Sequence, residues 1–257
     1  MGKGGLSPKT VADIRSILLQ GISYARERKY PCAVDTKIFY PKTRQPNIDV
    51  LTKAEQKKLE QTLFQSSDPI RLGIMIALYG GLRIGEVCAL QWGDFNYTAG
   101  TVRISKTLIR IKDLTRDSLK KTKVIIDKPK TEHSNRIIPL PSFLMEFMRQ
   151  EAKGENCYVL TGTAEYVEPR LCLKQYKQVL EQAGLPSFTF HALRHTFATR
   201  CVENEFEIKA LSEILGHSNV STTLQRYVHP SIECKREQME RLEKLSVWGQ
   251  DHGTENP

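Results

Sequence analysis

The sequence predicts a mainly α-helical fold carrying a small antiparallel β-sheet, an α+β class. Three observations lead to it. Apolar residues recur at three- and four-residue spacing through most of the chain, the period of a helix with one buried face. One block, residues 101–139, alternates apolar and polar residues as half-buried strands do. Ser, Thr, Gly and Pro fall where helices start and stop.

The first helix opens with Ser7 as its cap and Pro8 at the first helical position. Val11, Ile14, Ile17, Leu18 and Ile22 form one apolar face that runs to about Arg28, and Lys29-Tyr30-Pro31 ends it. Residues 30–50, with Pro31, Pro41 and Pro46 and no clear period, read as a linker. Thr52 and Glu55 form a capping box for a helix over 53–65, and a second helix covers 69–79. Gly80-Gly81 interrupts it before Leu82-Arg83-Ile84-Gly85-Glu86, from which a short helix reaches Leu90.

Residues 101–112 read as one strand, and 123–128 with 135–139 as a hairpin turning around Lys130 to Ser134. Helices follow over 142–152, 168–183, 191–203, 207–215, 219–228 and 231–246, with a short strand near 157–160. A single helix ahead of a linker cannot bury its own apolar face. Its partner lies on the main domain or outside this sequence.

The chain has 257 residues, enough for one large domain or one domain and a small second one. Its net charge of +9 is unevenly spread: residues 102–136 carry net +7 and residues 1–48 net +6, leaving −4 elsewhere. Two basic regions on a slightly acidic body suit a protein that grips a duplex. No apolar run approaches the ~18–20 residues of a membrane-spanning helix. The six cysteines are scattered without a CxxC pair, as expected of reduced thiols in a cytosolic protein. His191 and His195 are four apart, but a zinc-protease helix needs Glu where Ala192 stands, so no metal is expected.

One constellation carries chemistry. Metal-free transfer of a phosphodiester needs cationic donors for the nonbridging oxygens, an in-line nucleophile and an acid for the leaving oxygen. Arginine suits the first task, having a fixed fork and a permanent charge. Arg83 follows the Gly80-Gly81 break, where backbone can approach a ligand, and Glu86 three residues on can hold its guanidinium. A helix-start arginine with a surface ion pair explains the same two residues.

His191 and Arg194 share a helix face, beside an apolar stripe of Leu193, Phe197 and Cys201. A buried histidine with an unrelated surface arginine is the bland alternative. His195 points away from the Leu193 stripe and receives no role. His217 follows Gly216, a helix C-cap, and so falls in a turn. Tyr227 continues a core-like face with Val220 and Leu224, and a packed structural tyrosine fits it when taken alone. Lys130 stands in a turn, where a solvated charge is the ordinary case, but a mobile ammonium there can protonate a departing oxygen.

In this order the residues resemble the tyrosine recombinases, particularly integrases of temperate phages and conjugative transposons. The matching segments are Gly81-Leu82-Arg83-Ile84-Gly85-Glu86, Pro129-Lys130-Thr131, Ser134 to Leu140, His191-Ala192-Leu193-Arg194-His195-Thr196-Phe197-Ala198, and Leu215-Gly216-His217-Ser218 through Tyr227. The resemblance implies a catalytic domain of that family in which Arg83 and Arg194 clamp the scissile phosphate and His191 and His217 hydrogen-bond it. It implies that His191 is the candidate base, Lys130 the general acid for the 5′-hydroxyl, and Tyr227 the nucleophile of a 3′-phosphotyrosine bond. Lys130 is chosen among neighbours, since Lys123 and Lys128 share its hairpin.

The same resemblance implies no cofactor and no catalytic metal. It makes residues 1–29 the last helix of a truncated core-binding domain, 30–50 a linker, 51–230 the catalytic domain and 231–257 a C-terminal helix and tail. Earlier helices and any arm-binding domain would then belong to a longer protein. The tail docks on its own domain or on a neighbouring subunit. Expected partners are double-stranded DNA, further copies of the chain as a tetramer on it, and accessory DNA-bending proteins, in a bacterial cytoplasm. Two other readings compete: a type IB topoisomerase-like enzyme, and a sequence-specific DNA-binding regulator without catalysis.

Overall fold

A computed structural model describes residues 6–31, 49–113, 122–127, 135–217 and 219–227, together with Arg236 and Met239. Contacts divide the chain into two units, residues 1–47 and 48–257. The first holds α1 (Pro8–Glu27), which starts as its sequence dictates: the Ser7 hydroxyl accepts the Thr10 N–H at 3.1 Å. It ends with Lys29 in the left-handed region at φ 59° and the Tyr30 N–H on the Ala25 carbonyl, a Schellman closure. None of its residues is buried.

The second unit begins with α2 (Lys53–Gln65), whose capping box is complete: Glu55 N–H to Thr52 Oγ1 at 3.2 Å, Thr52 N–H to Glu55 Oε2 at 2.8 Å. Next come α3 (Ile70–Gly80) and α4 (Ile84–Ala89), then a 3-10 turn over Trp92–Asp94. Among the described residues the strands that follow are β1 (Phe95–Asn96), β2 (Thr101–Ile104), β3 (Thr107–Lys112), β4 (Thr122–Asp127) and β5 (Arg136–Pro139). The chain continues through α5 (Ser142–Glu151), α6 (Pro169–Gln182), α7 (Phe190–Glu203), α8 (Ile208–Leu215) and α9 (Val220–Tyr227).

The class is as expected, mainly helical with antiparallel strands, but the pairing differs in two ways. Residues 101–112 form two strands, not one, and they belong to different sheets. A three-stranded sheet has the order β1-β2-β5, while β3 pairs with β4 alone. The expected hairpin of 123–128 with 135–139 is therefore absent. The first of these segments pairs back onto β3, with Leu108 opposite Ile126, and the second onto β2, with Val102 opposite Ile138.

Alternation could not show the break. Val102, Ile104 and Leu108 are all buried and keep one even-numbered phase across it. Lys106 marks the departure, its Nζ 2.5 Å from Gln91 Oε1 beside the 3-10 turn. Near 157–160 there is no strand, only an isolated bridge between Gln91 and Tyr158. Of the expected helix over 231–246 Arg236 and Met239 are described, both helical, and the tip at Lys130 lies outside the described residues.

Helix α3 is apolar except at Arg71 and the Tyr79 hydroxyl and lies inside the unit, with Ile74, Ile76 and Ala77 fully buried. Around it pack Leu59 and Leu63 of α2, Leu144 and Met148 of α5, Tyr176 of α6, and Ala192 and Leu193 of α7. A smaller cluster joins Ala198 and Cys201 of α7 to Leu211 and Leu215 of α8, with Phe197 and Tyr227 against it.

Candidate active site

Two turns and one helix position the cationic residues. Helix α3 ends in a left-handed Gly81 at φ 66°, and a Cβ there would lie 2.6 Å from the Phe197 ring. Only glycine permits α7 to come so close. The chain leaves that turn through Arg83 into α4. The second turn closes α8, with Gly216 at φ 65° against Arg136.

Arg194 of α7 joins the two turns. Its Nη1 donates to the Gly81 carbonyl and its Nη2 to the Leu215 carbonyl, each at 2.7 Å. Only 1 % of the residue is exposed, so it is no surface arginine. Burial lowers its pKa to about 9, with Arg83 and Arg136 adding to that and Glu86 and Tyr227 opposing it. The guanidinium therefore stays charged at neutral pH.

Glu86 is the anion of the cluster. Its two oxygens accept from Arg136 Nη1 at 3.0 Å and Nη2 at 2.9 Å, and from the Arg83 N–H and Nη1, both at 2.9 Å. Burial opposes its ionisation, but the hydrogen bonds and charge of Arg136 and Arg83 outweigh it and bring the carboxyl down to about 2. This is a buried bidentate pair shared between two arginines, unlike a surface i,i+3 contact. Arg83 itself keeps 40 % of its side chain in solvent and reaches toward the Gly216 carbonyl at 3.5 Å.

Arg136 had no assigned role in the sequence. Strand alternation places it on the buried face of β5 together with Ile138, and its Nε donates to the Ile214 carbonyl at 2.7 Å. It thus fixes both Glu86 and the end of α8. A basic residue in phase with buried Ile138 was the available signal.

His191 is exposed at the start of α7. His195, one turn on, meets it edge-to-face with ring centroids 4.4 Å apart, and its Nδ1 lies 2.6 Å from the Tyr227 phenol oxygen. The sequence reading gave His195 no role, although the i,i+4 spacing put it on the face of His191. His217 stands in the turn after Gly216, with Nδ1 2.8 Å from Thr223 Oγ1. Tyr227 ends α9 and packs on the α7–α8 cluster, while Val220 and Leu224 remain 37 % and 44 % exposed.

The described residues thus bring Arg83, Glu86, Arg194, His217 and Tyr227 around the junction of α4, α7, α8 and α9, with His191 on α7. Lys130 lies outside them. Among the described residues no group of His, Cys, Asp and Glu could hold a metal ion, and no helix is long and apolar enough to cross a membrane.

The model of the phage integrase family matches residues 49–233. A tyrosine recombinase XerC-like protein of Caldanaerobacter subterraneus subsp. tengcongensis is 29% identical over 95% of this chain and 68% of its own length. The transposase from transposon Tn916 of Enterococcus faecalis is 26% identical over 76% of this chain and 51% of its own length. This chain therefore spans about two thirds of the first and about half of the second. Among solved structures, the Tn1549 transposon integrase in complex with transposon right end DNA superposes with a TM-score of 0.71 at 25% identity, covering 93% of this chain and 80% of that one. The catalytic domain of bacteriophage HP1 integrase, at 20% identity and a TM-score of 0.51, shares the fold.

Proposed function

Because the chain belongs to the phage integrase family, the tyrosine recombinases, we propose that it cuts and rejoins DNA strands site-specifically through a 3′-phosphotyrosine formed on Tyr227. The observation that carries this reading is the meeting of Arg83 and Arg194 at the Gly81 and Leu215–Gly216 turns, with the Tyr227 phenol bonded to the helix that bears Arg194.

The chemistry follows from these groups. Bound phosphate presents two nonbridging oxygens whose charge grows in the transition state, and the two guanidiniums stabilise it. Their main-chain and Glu86 partners hold them beforehand, so little reorganisation remains when DNA arrives. His191 and His217 donate to the same phosphate. Lys130 is the candidate acid for the departing 5′ oxygen, from the resemblance of its segment. The phosphotyrosine conserves the energy of the broken diester, so rejoining needs no nucleotide.

The partner is DNA. A tetramer on that DNA, helped by bending proteins, is the assembly the family likeness supports. In this reading α1 is the last helix of a core-binding region, and residues 51–230 form the catalytic domain.

Covalent capture tests the assignment. Protein is mixed with nicked duplexes of randomised core sequence, denatured, and the attached DNA is recovered. Intact protein should yield an adduct that Tyr227→Phe does not. DNA binding at low salt without any adduct would point to a regulator, and an adduct that persists in Tyr227→Phe would give the nucleophile to another residue. Sustained relaxation of supercoiled plasmid by a monomer, without exchange of strands, would point to a topoisomerase.

A further inference from the structure

His195 stands outside the roles just described, yet it makes the contact to the nucleophile: Nδ1 lies 2.6 Å from the Tyr227 oxygen. A phenol carries one proton, and to act as a nucleophile it must give that proton up. With its ring proton on Nε2, the imidazole accepts at Nδ1 the proton that the phenol donates. A general base needs a heavy-atom distance of roughly 2.6–3.2 Å to the proton's owner, and this pair has it.

We infer that His195 is a catalytic residue, the acceptor of the Tyr227 proton during cleavage and its donor during rejoining. The inference rests on Tyr227 being the nucleophile. In cleavage the phenol oxygen forms its bond to phosphorus while the bond from phosphorus to the 5′ oxygen breaks. The phenol proton moves to Nδ1, giving an imidazolium, and the 5′ oxygen leaves with a proton from a separate acid, for which Lys130 is the candidate. In rejoining the 5′-hydroxyl attacks, the phosphorus–phenol bond breaks, and the imidazolium returns its proton to Tyr227.

The pairing also suits both directions. The nitrogen that takes the proton in cleavage is placed to return it in rejoining. Transfer becomes favourable only as the oxygen bonds to phosphorus. Among the described residues, the neighbouring titratable and charged groups come from the helices packed here. Helix α7 contributes His191 and Arg194, and α9 contributes Tyr227. Arg83, Glu86 and Arg136 act on Arg194, and so on the pair at one remove. From α3, Arg71 and Tyr79 are held by Glu151 and Glu60, while Lys209 and Glu213 of α8 are exposed.

The test is a pH profile of single-turnover cleavage, from pH ~5 to ~10, on a duplex recovered by the covalent capture above. It compares intact protein with His195→Ala, His195→Asn and His191→Asn. Intact protein should gain rate as an imidazole deprotonates and then level off. His195→Ala should lose about 10²-fold near neutrality and recover toward high pH, where the phenol ionises unaided. His195→Asn, which can hold the phenol but cannot take its proton, should behave as His195→Ala does.

An equal loss at every pH, rescue by His195→Asn, or an imidazole limb that disappears in His191→Asn and survives in His195→Ala would each overturn the proposal. If Tyr227→Phe still forms the adduct, the nucleophile assignment falls and this inference with it. If Tyr227→Phe is inert while the His195 variants match intact protein, only this inference falls. Ring-nitrogen NMR shifts supply a second readout, independent of variant folding at His195. An accepting Nδ1 that changes state in Tyr227→Phe is expected, and an unchanged one is contrary.

Discussion

At the scale of single residues, Glu86 decides whether two arginines can stay where they are. It is a buried carboxylate held to about 2, below an ordinary value of 4.5. A depressed folded pKa means the pair stabilises the protein above pH ~4.5, and that contribution is lost as pH falls toward ~2. Glu86→Gln should therefore flatten that part of the acid limb in urea-unfolding measurements. At neutral pH it should cost about 3–5 kcal/mol, since the buried Arg136 loses its counter-charge. Arg83 and Glu86 were legible in the sequence because their spacing is local, three residues on one helix start. Arg136 and His195 were not, because each acts through a partner far along the chain: Glu86 is 50 residues from Arg136, and Tyr227 is 32 from His195. Periodicity reports which face a residue occupies, and it is silent about what stands opposite.

At the scale of elements, α7 is the strut of the site, and its anchorage is unusual. Both main-chain groups of buried Leu51 are bonded by α7 side chains. Its N–H donates to Thr196 Oγ1 at 3.0 Å, and its carbonyl accepts from Arg200 Nη2 at 2.7 Å. This satisfies a buried irregular segment that has no ladder of its own. Thr196→Val keeps the shape and orphans the Leu51 N–H, so it should cost about 1–3 kcal/mol in chemical unfolding. Cleavage by the folded fraction should be nearly unchanged, because Arg194 keeps its two carbonyl partners. Helix boundaries were readable from caps such as Ser7, Thr52 and Gly216, each a local hydrogen-bonding device. Strand partners were not. The even-numbered apolar phase of Val102 and Ile104 resumes at Leu108 after Lys106, and the hydrogen bond of Lys106 to Gln91 that accompanies the break comes from a distant turn.

At the scale of the whole molecule, the fold class followed from the mixture of periods. The charge, net +9, implies a polyanion but does not locate its path. If DNA lies across the basic segments, affinity should be steeply salt-dependent. Six or more phosphate contacts would lower it at least about 10³-fold between roughly 50 and 200 mM salt in a fluorescence-anisotropy titration. A shallow slope would mean the charge serves another purpose. The bonds of Arg194 to Gly81 and Leu215 also bear on synthesis, since a ribosome releases the chain from the N-terminus. Arg83 emerges more than a hundred residues before Arg194, and the Leu215 carbonyl that completes the hold on Arg194 comes later still. A nascent or prematurely terminated polypeptide therefore holds the basic strands, able to touch a chromosome, well before it has anything with which to cut one.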